Sequence, residues 1–228
     1  MPEPARLAIV GYGKMGHIIE QLAPQYNFAV AAILDHDRDE PLDNIDAAIE
    51  FTTPTAVLDN IRKLAARHIP MIVGTTGWLD HLDEARHIIE TSDSALVWSP
   101  NFSIGVNVFT RLAAEAARLL ANETEYETWA WEIHHSAKKD APSGTLLKLV
   151  DAMKAAGYTR RIDVSSNRAG AHPGTHEIGF DSSADTITLR HTARSREGFA
   201  RGALKAAQWI RGRQGFFEFS SVLFGRES

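Results

Sequence analysis

The chain contains no cysteine. That excludes disulfides, thiolate metal centres and a thiol nucleophile, and it suits a reducing compartment. It has no apolar run long enough to span a bilayer. The start, Met1-Pro-Glu-Pro-Ala-Arg6, leads straight into a strand and leaves no room for a signal peptide. A cytoplasmic location with no membrane partner is therefore expected. Positive charge is not in excess: 24 Lys and Arg face 29 Asp and Glu, for a net charge of −5. Nucleic acid is accordingly not the expected partner. Internal repeats and low-complexity segments are absent as well. The 228 residues are enough for one large domain or two modest ones with real cores.

What is present begins with glycine. Leu7-Ala-Ile-Val10 is a short apolar run, as expected of a strand buried on both faces. Gly11-Tyr-Gly-Lys-Met-Gly16 follows, then the helical-looking His17–Gln25 and a second apolar run, Ala29–Leu34, that ends at Asp35. Strand, G-x-G-x-x-G, helix, strand and acid, in that order, form a dinucleotide-binding pattern. Gly11 would make the tight turn, Gly13 would let the backbone approach a pyrophosphate, and Gly16 would let helix and strand pack closely. The helix N-terminus offers N–H groups and a positive dipole to the phosphates. Asp35 falls about twenty residues beyond Gly16, the spacing of an acid that binds ribose hydroxyls. A carboxylate there favours NADH, while Arg38 is near enough to meet a 2′-phosphate, so NADH and NADPH both stay open.

Alternation continues through a strand at Ala47–Phe51, a helix at Thr55–Arg67, a strand at Met71–Val73, a helix at Asp80–Glu90 and a strand at Ala95–Trp98. Ligands of open α/β sheets bind beyond the carboxyl ends of the strands. Three such ends, Thr52-Thr53, Gly74-Thr75-Thr76 and Ser99-Pro100-Asn101-Phe102, carry small or hydroxyl residues over which a cofactor can lie. Gly105–Leu120 reads as a helix leaving this domain. Beyond it come β-like runs at Tyr126–Ile133, Arg161–Ser165, Glu177–Asp181 and Asp185–His191, which predict a small mixed or antiparallel sheet. Gly198–Arg211 reads as a helix and Phe216–Leu223 as an aromatic strand returning to edge the first sheet. The expected fold is α/β: a Rossmann-like dinucleotide-binding domain with a mostly parallel sheet over residues 1–104 and 200–228, and a smaller α+β substrate-binding and oligomerisation domain with a mixed sheet over residues 105–199.

The most polar stretch lies mid-chain: Glu132-Ile-His-His-Ser-Ala-Lys-Lys-Asp-Ala-Pro-Ser-Gly-Thr145. Few core segments tolerate so much charge, because burying it unpaired is costly. Histidine exchanges protons near neutral pH, and Lys138 places positive charge beside His134 and His135. Lys139, the second of a neighbouring pair, is the weaker candidate. Pro142-Ser143-Gly144-Thr145 has the grammar of a helix start, with Asp140 available as its cap and Pro142 suited to the first turn. Such a start receives carboxylates. Lysine, histidine and helix N–H groups together describe a site for a small acid. No metal is expected: His134 and His135 chelate one ion awkwardly, and with Asp140 no further carboxylate or histidine is spaced to complete the shell. Arg168-Ala-Gly170 and Gly174-Thr-His-Glu177 form a second polar cluster, whose His172 and His176 either line the cleft or steady a long loop. Arg194, Arg196 and Phe199 sit near the return crossing, within reach of the cofactor.

These residues resemble the dihydrodipicolinate reductase family nearly end to end. The resemblance is carried by Gly11-Tyr-Gly-Lys-Met-Gly16, Phe51-Thr-Thr-Pro54, Gly74-Thr-Thr-Gly77, Asn101-Phe-Ser-Ile-Gly-Val-Asn107, Arg168-x-Gly-x-x-x-Gly-x-His176 and, above all, Glu132-x-His-His-x-x-Lys-x-Asp-Ala-Pro-Ser-Gly-Thr145. It implies reduction of a cyclic conjugated imine dicarboxylate to tetrahydrodipicolinate by NADH or NADPH, with loss of water from the 4-hydroxy form. It also implies His134 as proton donor or acceptor, Lys138 as proton donor, and His135, Gly144 and Thr145 as receptors of the substrate carboxylates. Gly11, Tyr12, Gly13, Lys14, Met15, Gly16, Asp35, Gly74, Thr75, Thr76, Ser99, Pro100, Asn101 and Phe102 fall at the family's cofactor positions. The family further implies a homotetramer built through the second domain's sheets, although this chain is short for it. Two other readings remain: a small amino- or keto-acid dehydrogenase of the same plan, such as an aspartate-dehydrogenase-like enzyme, and a non-catalytic NAD(H) sensor.

Overall fold

Short, mostly apolar strands pack as the buried rungs of a parallel sheet, and the first unit is built from them. The computed structural model describes residues 3–225. It divides into two compact units, one running up to Ser103 and resuming at Glu197, the other spanning Ile104–Arg196. In chain order the first contains β1 (Ala5–Val10), α1 (Lys14–Leu22), β2 (Phe28–Asp35), the two-residue β3 (Arg38–Asp39), β4 (Ala47–Glu50), α2 (Val57–Ala65), β5 (Met71–Val73), α3 (Leu82–Thr91) and β6 (Ala95–Trp98). The second contains α4 (Ile104–Leu119), β7 (Glu127–His134), α5 (Gly144–Ala155), β8 (Ile162–Arg168), β9 (Thr175–Asp181) and β10 (Thr186–Thr192). The chain returns to the first with α6 (Glu197–Ile210), β11 (Gly215–Glu218) and α7 (Phe219–Phe224).

The first unit's sheet has the order β11-β6-β5-β4-β1-β2-β3. It is parallel except for the β2–β3 hairpin, where Asp35 stands opposite Arg38. β1 pairs with β2 on one side and with β4 on the other, so the strand order reverses at β1. That reversal opens the crevice in which such sheets bind ligands, at the end where Gly11 leaves β1. Val10, Ile61, Leu64, Met71, Trp78 and Leu96 belong to the core that α2 and α3 seal against the sheet. The expected strand Phe216–Leu223 is only half right. β11 edges the sheet, but its last pair is Glu218 with Trp98, the final residue of β6. With no strand left to pair with, the chain coils into α7, whose Phe219, Val222 and Leu223 recur at helical spacing, and Phe219 is fully buried.

The second unit's sheet is mixed, as expected, in the order β10-β9-β7-β8. β7 and β8 are parallel and joined through α5, while β9 and β10 run antiparallel. Phe109 and Ala113 of α4 and Leu146, Leu149 and Met153 of α5 pack on Ala130, Ile178 and Phe180 of the sheet. β7 alternates strictly: Thr128, Ala130, Glu132 and His134 are buried, while Trp129, Trp131 and Ile133 are half-exposed on the other face. The apolar core ends at Ala130, and two polar residues continue the buried face beyond it. β8 runs three residues past the expected Arg161–Ser165, because the polar Ser166-Asn-Arg168 pairs with Glu132-Ile-His134 all the way to the end of β7. Among the described residues no helix is long and apolar enough to cross a membrane.

Candidate active site

In the first unit the glycine loop is fixed by backbone contacts. Gly11 has φ +91° and donates its N–H to the Leu34 carbonyl at 2.8 Å. A Cβ on Gly16 would stand 2.5 Å from the Gly11 oxygen. Gly13 differs: nothing lies within 4 Å of its missing Cβ, and no side chain caps α1. The helix therefore starts with exposed Gly13 and Lys14 and uncompensated N–H groups, an arrangement that fits a dinucleotide pyrophosphate. Tyr12 and Met15 are half-exposed, and the Arg38 guanidinium lies 5.7 Å from the Tyr12 ring while pairing with Glu40 at 2.7 Å. Asp35 is exposed in the same hairpin, so a carboxylate and a guanidinium are presented together.

The neighbouring loops are cross-tied. Thr75 Oγ1 accepts the Thr52 N–H at 2.6 Å, and the Trp78 indole donates to the Thr75 carbonyl at 2.9 Å. Thr75 and Gly74 are buried and Thr76 is exposed. Ser99 Oγ accepts the Asn101 N–H at 3.1 Å, and Asn101 Oδ1 accepts that of Ser103 at 2.9 Å. Ser99 is buried, and Phe102 packs its ring 4.8 Å from Phe219, so both anchor the loop from below. Pro100 and Asn101 are half-exposed. One residue had no assigned role in the sequence reading. Glu50, last in β4, is fully buried, and burial raises its carboxyl pKa against the opposing hydrogen bonds of Thr52, Thr75 and Asn60. Its only signal in the sequence is a lone acid closing the apolar run Ala47-Ala-Ile.

In the second unit, strand register assembles a cluster around Glu132. His134 ends β7 and stands opposite Arg168 of β8, while Glu132 stands opposite His176 of β9. Glu132 is wholly buried, His134 and His176 nearly so. Glu132 Oε1 accepts from the Ser143 N–H at 2.8 Å and from Arg168 at 2.9 Å. Its Oε2 lies 2.9 Å from His134 Nδ1 and 3.5 Å from His176 Nε2. Burial alone would raise the Glu132 pKa, but the Ser143 and Arg168 hydrogen bonds and the His134 charge outweigh it and hold the carboxyl at about 2. Burial and then the neighbouring His134 push His176 down to about 4. Burial also lowers His134, with Glu132 opposing and Lys138 and Arg168 adding to the shift. At neutral pH the carboxylate is thus ionised between two neutral imidazoles. Gly174, at φ +140°, brings its backbone against the His134 ring, where a Cβ would lie only 2.8 Å from Nε2, so a residue with a side chain would collide with the imidazole.

Past His134 the chain turns. Lys138 donates its N–H to the His135 carbonyl at 3.1 Å, and its Nζ pairs with Asp140 at 2.8 Å. Arg168 also reaches the Asp140 carbonyl, and Ala141–Pro142 is cis. The cap of α5 is Ser143 rather than Asp140: Ser143 Oγ accepts the Leu146 N–H at 3.2 Å. Lys138 occupies Asp140's carboxylate, leaving Asp140 only a long 3.4 Å contact to the Gly144 N–H, and Pro142 falls before the cap rather than in the first turn. No acid lies in the first turn of α5, where Gly144 is exposed and Thr145 half-exposed, so its positive end is free to receive an anion. Ser143→Ala should cost about 1 kcal/mol through the lost cap, read as a melting midpoint lower by roughly 2–4 °C.

Of the residues singled out by sequence, His134, Lys138, Gly144 and Thr145 fall along one continuous path from the end of β7 to the start of α5. His135, half-exposed, lies outside the buried cluster, and Lys139 and His172 are exposed. Arg194 and Arg196 are exposed as well. The expectation that no further carboxylate or histidine joins His134 needs correcting. Glu132, His134 and His176 place ligand atoms within 4.8 Å of one another. The Arg168 guanidinium already sits on that carboxylate, with Lys138 close by, and this balance of charge favours an anion over a cation.

The family model for the dihydrodipicolinate reductase N-terminus matches residues 5–102, and that for its C-terminus matches residues 105–223. A 4-hydroxy-tetrahydrodipicolinate reductase of Christiangramia forsetii is 37% identical over 95% of this chain and 97% of its own. One from Lawsonia intracellularis is 32% identical over 90% and 92%. Among solved structures, a dipicolinate-bound dihydrodipicolinate reductase from Paenisporosarcina sp. TG-14 superposes with a TM-score of 0.77 at 22% identity, covering 94% of this chain and 97% of that one. Aspartate dehydrogenase of Thermotoga maritima shares the fold more loosely, with a TM-score of 0.51 at 11% identity over 90% and 96%. Matched along almost its whole length in both halves, the chain belongs to the dihydrodipicolinate reductase family.

Proposed function

We propose that this protein is a 4-hydroxy-tetrahydrodipicolinate reductase of lysine and diaminopimelate biosynthesis, using NADH or NADPH. The observation that carries the reading is the cluster at the end of β7: Lys138, His134 and Arg168 beside a helix start with no acid in its first turn, in a family of nicotinamide-dependent reductases. The first unit holds the cofactor through the Gly11–Gly16 loop, with the strand-end loops at Gly74–Thr76 and Ser99–Phe102 beneath it. The nicotinamide, when bound, supplies hydride. The second unit holds the substrate. The amides of Gly144 and Thr145, the Thr145 hydroxyl and His135 take its carboxylates, which orients the conjugated imine. Hydride addition to a C=N–C=C system leaves electron density toward nitrogen, and Lys138 or His134 relieves it with a proton. A bound dianion works in their favour, because negative charge nearby raises the pKa of an imidazole that burial has lowered.

The product is tetrahydrodipicolinate, and water is lost from the 4-hydroxy form. A homotetramer fits the half-exposed Trp129, Trp131 and Ile133 on the outer face of the second sheet, too apolar a set to leave to solvent. A cytoplasmic location fits a chain without cysteine. An aspartate-dehydrogenase-like enzyme gives no use for the Lys138 and Ser143-Gly-Thr145 arrangement, and an NAD(H) sensor needs no proton donor. The test is a coupled assay: the condensation product of pyruvate and aspartate semialdehyde is supplied, and oxidation of NADH and of NADPH is followed separately. Turnover with at least one is expected. Silence with both would overturn the assignment.

A further inference from the structure

Glu132 lies behind the proposed proton donor and is shielded from solvent, so substrate cannot reach it. Each of its oxygens has a separate task. Oε1 ties the backbone of Ser143, which opens α5, to Arg168 at the end of β8. Oε2 faces His134 Nδ1 at 2.9 Å, and among the described residues neither buried atom has a formed hydrogen bond, the contact being off the line of the ring N–H. A buried donor and a buried acceptor left unmade are costly, and His134 Nδ1 at 2.9 Å is nearer to Oε2 than His176 Nε2 at 3.5 Å, which also faces Ser143 Oγ at 3.3 Å, so His134 is the partner of Oε2. An ionised carboxylate only accepts, so pairing with it puts the proton of neutral His134 on Nδ1. The lone pair of Nε2 is then left on the ring edge that the Gly174 backbone approaches, where the absence of a side chain keeps that edge from being blocked.

We propose that Glu132 is the positioning residue of this site, fixing the tautomer and orientation of His134 and favouring its imidazolium form while holding the carboxylate-binding start of α5 in place. The inference rests on the reductase reading for its activity arm only. The charged and titratable groups around His134 are Glu132 on β7, Arg168 on β8, His176 on β9 with His191 behind it on β10, and Lys138 and Asp140 on the following turn. Glu132 and Asp140 favour the charged ring, while Lys138 and Arg168 oppose it. Glu132→Gln keeps an oxygen for Ser143 and Arg168 but presents an N–H₂ to Nδ1. That amide can donate only to the tautomer protonated on Nε2.

The experiment combines pH–rate profiles of wild type, Glu132→Gln and Glu132→Asp with ¹⁵N shifts of the histidines in the wild-type protein, the His134 signal being assigned by its loss in His134→Gln. Neutral His134 protonated at Nδ1 is expected in wild type. Glu132→Gln should lower kcat tenfold or more, move the alkaline limb to lower pH and leave the substrate KM within a few-fold, with part of the loss recovered in Glu132→Asp. A Glu132→Gln enzyme with wild-type kcat and an unmoved limb would overturn the proposal. So would an Nε2-protonated wild-type ring, which decides the matter even if the variants do not fold. If wild type oxidises neither cofactor, the reductase reading falls, and the nitrogen shifts still decide the pairing.

Discussion

Lys138→Ala should lower kcat by roughly a hundred- to ten-thousand-fold, the range spanned by a positioned general acid, while dissociation constants for NADH and NADPH stay within a factor of about two. The argument is one of separation. Lys138 lies on the turn after β7 in the second unit, half-buried and paired with Asp140, and no part of the glycine loop depends on it. Its partner Asp140 is the feature that makes the effect specific. The lysine hydrogen bond, above all, holds the Asp140 carboxyl below its ordinary range, and so Asp140 stays ionised through neutral pH. Substrate carboxylates must compete with that aspartate for the ammonium. Removing the ammonium therefore leaves two negative groups facing each other, and substrate KM should rise as well. Single-turnover hydride transfer, followed by the loss of reduced-nicotinamide absorbance, separates the two effects. Cofactor affinity collapsing in step with turnover would show that Lys138 serves the dinucleotide, and the proton-donor role would be wrong.

How far the sequence reveals this site depends on the range of the interaction. Gly11–Gly16 and the path from His134 to Thr145 are local patterns, legible because every residue that defines them lies within one turn or one strand end. Glu132 is legible as an oddity only. A carboxylate two residues before a histidine shares its strand face, but nothing nearby says that the face is buried. Arg168 and His176 reach that carboxylate only through the ladders that pair β7 with β8 and β9, and register between strands more than thirty residues apart is not written in either strand. The same cause hides the full length of β8, whose polar end is held by pairing rather than by composition. Asp140 and Ser143 both carry the signature of a cap. Lys138 settles the contest by occupying Asp140, an ion pair that spacing alone does not assign. The closing aromatic segment shows the opposite failure: Phe216 to Leu223 has strand composition, yet the ladder stops where β6 stops.

Gly11→Ala should abolish dinucleotide binding, with affinity falling by more than about a hundredfold, and should destabilise the first unit severely. Two independent costs fall on the same atom. A φ of +91° is strained for any residue with a side chain, by about 1–3 kcal/mol. The added methyl would also stand 2.1 Å from the Phe51 carbonyl oxygen, and overpacking of that kind costs about as much again. Neither neighbour can yield cheaply. The Phe51 N–H is bonded to the Val10 carbonyl at 2.8 Å, and the Gly11 N–H to that of Leu34 at the same distance. Relief therefore requires the ends of β1, β2 and β4 to part, at the reversal point where the pyrophosphate is expected to lie. Gly13→Ala is the control, since its Cβ has open space and its φ of −83° is ordinary. That variant should melt within about 2 °C of wild type, because surface changes of this kind stay near ±0.5 kcal/mol. It should still bind the cofactor more weakly, since its methyl stands where the phosphates approach. Fluorescence titration with NADH and NADPH, alongside thermal melts, reads both variants. If the Gly11 variant binds like wild type, or if Gly13→Ala costs no affinity, the glycine loop is a structural turn and the cofactor site must be sought elsewhere.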